Sequence, residues 1–299
     1  MASISRPTPD TVHHSVNNHV ALITGAARGI GFATASLFAQ HGARVVLVDL
    51  HEEDLKSACT KIGRQATYEV CDVSDWGQQE KLFHRVSNAI GPIHLLVCNA
   101  AVNPEISLLQ RADPAQRMQM DSQVLYNYLA DEPETGDPGS QLRRPSTNVF
   151  DINVNSVLFG LKLGVHHMKQ QGGGRIVVVG SAASYLPVSS QPLYTASKHA
   201  VLGLVRSTSQ VPEVIQSGIS ISWVAPWLTL TSMVEGLQAT TQPHTLKSTA
   251  DDVAWAIVAA TLAKNSNGKG YWVQGKAISE VEGAYGEVAG RLIVPENRF

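Results

Sequence analysis

The sequence predicts one α/β domain built on a doubly wound parallel β-sheet with helices on both faces. Three observations predict it. Short apolar runs alternate with stretches of helical spacing from Val20 to about Val273. Several runs are apolar at successive positions, as strands covered on both faces must be. The chain of 299 residues is 43% hydrophobic and 16% charged, a balance that suits one large globular unit.

The elements follow in order. Val20–Thr24 is a buried strand, and a glycine-rich turn comes after it. Ile30, Ala33, Leu37 and Phe38 recur at helical spacing, and Gly42 offers a stop. Val45–Val48 is the second strand and ends on Asp49. Strand, helix and strand in so short a span form a βαβ unit. Glu52–Ile62 has helical character, and Thr67–Val70 forms a strand ending near Asp72. Ser74 or Asp75 caps a helix reaching about Ala89. Strands are expected at His94–Cys98, Arg175–Val179, Ile219–Val224 and Tyr271–Val273. Helices are expected at Tyr194–Val211 and Asp251–Ala263.

Three segments stand outside this rhythm. Residues 1–18 are polar, carry Pro7, Pro9 and the pair His13–His14, and are expected to form a mobile tail. The domain proper then covers 19–275. An inserted segment near 104–148 contains a possible helix at Gln116–Leu129 and a Pro- and Gly-rich acidic loop at Asp131–Ser140. Residues 276–299 are expected to form a C-terminal extension.

The formal net charge of −2 points to neither nucleic acid nor an anionic membrane as partner. No apolar run has the length of a bilayer span or the form of a signal peptide. Cys59, Cys71 and Cys98 are odd in number and show no metal-ligand spacing. The expectation is a reduced, cytoplasmic protein without a metal.

Function is written first in the turn Thr24-Gly-Ala-Ala-Arg-Gly-Ile-Gly31. Gly25, Gly29 and Gly31, with Arg28 and Ile30 between them, lie between a strand and a helix. There the chain turns tightly and backbone N–H groups can meet a pyrophosphate. Asp49, at the end of the next strand, can accept hydrogen bonds from an adenosine ribose and repels a 2′-phosphate, which favours NAD. Arg28 keeps NADP open, because a cation there can hold an extra phosphate.

The second signal is Tyr194-Thr-Ala-Ser-Lys198, with tyrosine and lysine four apart on one helical face. A phenol that titrates near ~10 is a poor base at neutral pH, and a neighbouring ammonium lowers that value. Ser181 follows the strand that ends at Val179, and its hydroxyl can hold a reacting oxygen.

With these motifs in order, the chain resembles the short-chain dehydrogenase/reductase family from Val20 to about Val273. The glycine turn, Asn99-Ala-Ala101, Ser181 and Tyr194-x-x-x-Lys198 carry the resemblance. It implies a Rossmann-type fold and a nicotinamide dinucleotide. It makes Tyr194 the general acid/base, Lys198 the ligand of the nicotinamide ribose, and Ser181 the residue that orients the substrate oxygen. Asn153 matches the asparagine of a water relay to the lysine, with Asn155 as a rival. Asp72 and Val73 match the pair at adenine, Asn99 the residue beside the adenine ribose, and Thr231 the threonine at the carboxamide. The resemblance also implies a homodimer or homotetramer. Apolar stripes on two helices are the expected contact: Val157, Leu161 and Val165 on one, and Val201, Leu204 and Val205 on the other.

One departure concerns the pocket. The family has Pro-Gly after the sixth strand, where this chain has Pro226-Trp227. Tyr185, Leu186, Val188, Gln191, Trp227 and Met233 are the expected substrate wall. Being mainly apolar, it suits a hydrophobic secondary alcohol or ketone as the small-molecule substrate. Two other readings remain open: a redox-neutral isomerase or cyclase on the same fold, and a non-enzymatic sensor of nicotinamide ratios.

Overall fold

The computed structural model describes residues 2–106, 142, 144–235, 241 and 244–292. The expected helix at 116–129 and loop at 131–140 lie outside the described residues.

The strands are β1 (Ala2–Ser3), β2 (Val20–Thr24), β3 (Arg44–Asp49), β4 (Ala66–Val70), β5 (Ile93–Cys98), β6 (Gly174–Val179), β7 (Ile219–Pro226), β8 (Thr229–Leu230), β9 (Ser248–Thr249), β10 (Gly270–Gln274) and β11 (Ala277–Glu280). The helices are α1 (Pro9–Val16), α2 (Gly29–Gln40), α3 (Glu52–Ile62), α4 (Trp76–Ala89), α5 (Ser156–Gln170), α6 (Pro192–Ser209), α7 (Pro212–Gln216), α8 (Ala250–Leu262) and α9 (Glu282–Leu292). The large sheet runs β1-β11-β10-β7-β6-β5-β2-β3-β4. From β10 to β4 every neighbour is parallel, and β11 is antiparallel to both β10 and β1.

β2 and β7 are buried along their whole length, which explains their largely apolar character, with Ser220 and Ser222 of β7 among the buried polar exceptions. One core layer packs α1, α2, α3 and α8 against one face, with Phe38, Leu55 and Ile257 at its centre. The other packs α4, α5, α6 and α7, with Phe83, Leu161 and Val201. The order of strands reverses between β2 and β5, so a crevice opens beyond their carboxyl ends.

Three expectations are corrected here. Residues 1–18 are not a free tail. Thr8 caps α1, Pro9 occupies its first turn, and Val12 and Val16, four apart, are fully buried. Arg6 pairs with Asp252 of α8, and β1 extends the sheet. His13 and His14 bond to the backbone carbonyls of His41 and Asp10. The overlooked signal was the Val12/Val16 pair behind a Thr-Pro helix start.

Residues 277–292 of the C-terminal extension are likewise part of the fold. Gly275, at φ +59°, begins a two-residue hairpin loop that returns the chain as β11. The third correction concerns the apolar stripes expected at an oligomer contact. Val157, Leu161, Val201 and Val205 are buried in the protomer's own core, and Val165 and Leu204 pack against it. These residues are occupied before any partner arrives.

Candidate active site

A cavity of about 790 Å³ lies in the crevice where the strand order reverses. The glycine turn forms one end. Gly25 and Gly29 have φ of +63° and +59°, backbone that side chains rarely adopt. A Cβ on Gly31 would meet the Gly25 carbonyl oxygen at 2.2 Å, so that glycine lets α2 close onto the turn. Gly31 does not itself line the cavity, whereas Gly25, Arg28, Gly29 and Ile30 do. Arg28 gives α2 no side-chain cap.

Asn99 braces the turn from β5. Its amide donates to the Thr24 and Gly25 carbonyls at 2.9 and 3.0 Å, and its backbone N–H donates to the Thr24 hydroxyl. Asp49 faces the same end of the cavity. Its two oxygens accept from Ala27 N and Leu50 N, which aims the carboxylate across the mouth of the turn. Asp72 and Val73 line the cavity beside it, with Asp72 accepting from the Ser74 hydroxyl.

Ser181, Tyr194 and Lys198 meet at the centre of the cavity wall. Ser181 acts on the buried Tyr194 phenol from close by: burial holds the phenol above its ordinary pKa, and Ser181 opposes the shift. The Lys198 amine is buried 5.6 Å from the Tyr194 ring centre and donates to the Val179 carbonyl at 3.0 Å. Burial pulls the Lys198 pKa down to about 8.

Asn153 sits in a π-helical turn (Asp151–Asn155) that runs into α5. It is buried and does not line the cavity. Its amide donates to the Val102 carbonyl and the Ser197 hydroxyl, and its oxygen accepts from Val102 N. Its rival Asn155 instead bonds to Asp151 at the surface. Thr231 lines the cavity within reach of the turn: a Cβ on Gly29 would lie 3.5 Å from its methyl group.

The residues of the expected substrate wall divide between the cavity and other places. Val188, Gln191, Trp227 and Met233 line the cavity. Tyr185 does not, because its hydroxyl donates to Glu282 and accepts from the Trp223 indole, both at 2.7 Å. Leu186 points to solvent, 40% exposed. Trp227 is half-buried against Trp272, with ring centres 6.0 Å apart.

Sequence reasoning missed Asn103 and Glu105. Asn103 donates to the Gln191 amide oxygen at 2.8 Å, and both residues line the cavity. Glu105 accepts from the backbone of Leu193 and Tyr194. The available signal was Pro192: a proline at the first position places the start of α6 there, and that start needs an acceptor.

The comparisons with known proteins agree with this geometry. The sequence profile described as short chain dehydrogenase matches residues 19–128 and 140–242. The chain belongs to the short-chain dehydrogenase family. It is therefore an oxidoreductase by family. It is 30% identical over 231 residues to the 15-hydroxyprostaglandin dehydrogenase [NAD(+)] of Rattus norvegicus, covering 75% of this chain and 73% of that one. A short-chain dehydrogenase/reductase of Stachybotrys chlorohalonatus (strain IBT 40285) is 29% identical over 279 residues, with 91% and 75% covered. Among solved structures, levodione reductase superposes with a TM-score of 0.67 at 25% identity, covering 87% of this chain and 97% of that one. Among the described residues, no helix is long and apolar enough to cross a membrane.

Proposed function

We propose that the protein is an NAD-dependent dehydrogenase interconverting a secondary alcohol and a ketone on a mainly apolar small molecule. The observation that carries this is the grouping of half-buried Ser181 with buried Tyr194 and Lys198 on the same cavity as Asp49 and the glycine turn.

The residues present fit a dinucleotide. The start of α2 has no side-chain cap, and Gly29 and Ile30 face the cavity, so its free N–H groups can meet a pyrophosphate. Asp49 would accept from the adenosine ribose, Asp72 and Val73 would flank adenine, and Thr231 would meet the carboxamide. Arg28 offers the one feature on that wall that favours NADP. Bound there, the nicotinamide accepts or returns hydride.

The chain's own residues manage the proton. The Ser181 hydroxyl orients the substrate oxygen. Tyr194 Oη takes the alcohol proton as the C–H electron pair leaves as hydride and the C=O bond forms; the reverse step returns both. The Lys198 ammonium favours the phenolate and would hold the nicotinamide ribose. Asn153 fixes Ser197, the neighbour of Lys198, and so supports the relay by which the proton would leave. Gln191 and Trp227 would bound the substrate.

Trp227 favours one second reading, a redox-neutral isomerisation or cyclisation, because it fills space where the family has glycine. Absorbance at the reduced-nicotinamide band during turnover of a panel of alcohols and ketones tests both. Net reduction of NAD supports the dehydrogenase. Product without absorbance change supports the alternative. A homo-oligomer remains part of the proposal, with exposed Leu158 of α5 and the Trp76–Phe159 pair as its apolar contact in place of the buried stripes. A monomeric mass at micromolar concentration overturns it.

A further inference from the structure

Glu105 is fully buried, and it reaches the start of the helix that carries Tyr194 and Lys198. Oε1 accepts from Leu193 N at 3.0 Å, and Oε2 accepts from Tyr194 N at 2.9 Å. These are the second and third positions of α6, and the first, Pro192, has no N–H to satisfy. Gln191, just before the helix, gives it no side-chain cap, because its amide oxygen is turned to Asn103. The two free donors are therefore satisfied by a carboxyl group from 89 residues earlier in the chain. A buried N–H left unpaired destabilises the fold, and a carboxylate is well placed at a helix N-terminus.

The residues around Glu105 give this contact a functional direction. Asn103, Pro104 and Ile106 line the cavity on the side of Gln191. Asn103 is tied to Gln191, and Glu105 is tied to Leu193 and Tyr194. The turn at 103–106 is thus tied to the start of α6 by three hydrogen bonds. Tyr194 is gripped by its own backbone N–H, in the same residue as the phenol that must meet both Ser181 and the substrate.

We propose that Glu105 is a positioning residue for the reaction: by accepting from Leu193 N and Tyr194 N, it holds the Tyr194 phenol in line with Ser181 and the substrate wall. It touches no reacting atom. This rests on Tyr194 being the acid/base. What matters is the reach of the side chain and its acceptor oxygens.

Three substitutions in the full chain separate reach from charge. Glu105→Gln keeps the length and one acceptor oxygen, Glu105→Asp keeps the charge but is one carbon short, and Glu105→Ala removes both. The readouts are kcat with cyclohexanol and NAD, NADH affinity by fluorescence, and the Tyr194 ring signal of protein carrying isotope-labelled tyrosine, assigned with Tyr194→Phe. Glu105→Asp and Glu105→Ala should lose about 10–100-fold in kcat, the cost of a displacement on the order of 1 Å. They should also shift or broaden the Tyr194 signal, with NADH affinity unchanged. Glu105→Gln should recover the signal and kcat in part, above Glu105→Asp and Glu105→Ala, because its one oxygen still reaches one of the two N–H donors. The proposal is overturned if Glu105→Ala leaves kcat and the ring signal as in wild type, or if Glu105→Asp is fully active while Glu105→Gln is not. If Glu105→Ala does not fold, the Gln and Asp pair decides. If wild type turns over neither cyclohexanol nor any other alcohol, the dehydrogenase reading fails, and the ring signal still decides the role of Glu105.

Discussion

The two walls of the cavity are built differently. The glycine-turn wall is made of backbone, and its main residues come from a short stretch: Gly25 to Ile30, then Asp49 at the end of the next strand. The opposite wall is made of side chains tied across the chain. Asn103 holds Gln191 over 88 residues, Glu105 holds Tyr194 over 89, and Trp227 leans on Trp272. A turn that needs positive φ and close backbone approach admits few sequences. A wall of long-range contacts admits many, and so it is free to vary with the substrate.

The largest expected effect lies where the walls meet. Tyr194→Phe should lower kcat by about 10²–10⁴-fold, the usual worth of a general acid/base. NAD affinity should stay near wild type, because the lost hydroxyl serves the substrate. Retention of more than about a tenth of the rate would remove Tyr194 from that role. On the turn wall, Asp49→Ala should move the NAD-to-NADP preference toward NADP by about tenfold, equivalent to one charge-assisted hydrogen bond. If wild type already binds NADP more tightly, Arg28 governs that wall and Asp49 does not.

The same contrast explains what could be read in advance. Strands β2 to β7 and β10, the glycine turn, Asp49, Ser181 and the Tyr194/Lys198 pair follow from periodicity and local motifs, whereas the short β8 and β9 do not. Tyr185 went astray because an aromatic just after Ser181 looks like pocket lining. Its actual partners, Glu282 of α9 and Trp223 of β7, lie far along the chain, and α9 was not foreseen. The N-terminal segment misled for the opposite reason: its polar composition hides an apolar pair that matters only once α8 lies beneath it. Asn153 bonds to Val102 and Ser197 and Asn155 to Asp151, and the contacts of Asn153 lie outside any local pattern.

The side-chain wall makes its own prediction at Trp227. The indole lines the cavity on one side and packs on Trp272 on the other. Trp227→Gly should raise KM for the best substrate by about tenfold, near the ~1.5 kcal/mol upper value for an aromatic contact. It should also broaden the range of alcohols accepted, with NAD affinity unchanged. A variant that loses thermal stability and keeps its specificity would mean that the Trp272 contact dominates, and the two walls would then differ less than their construction suggests.

A last effect, on stability and not on rate, concerns Lys198, which lines the cavity between the two walls. Burial draws its pKa from an ordinary value of 10.5 down to about 8, so the folded state releases the proton more readily than the unfolded chain does. Below about pH 8 both states hold the proton, and this group gives no pH slope. Between there and about pH 10 the unfolded chain binds more protons, so stability rises with pH. The gain should be on the order of 2 kcal/mol. Other groups titrate in that range, and Lys198→Met removes this one alone. Urea unfolding of both proteins from pH 7 to pH 10 should therefore show wild type gaining on the variant as pH rises. A constant difference would show that the ammonium is solvated in the folded protein. Its position would then be set by the Val179 carbonyl and the open cavity, without the burial that would sharpen its pull on Tyr194.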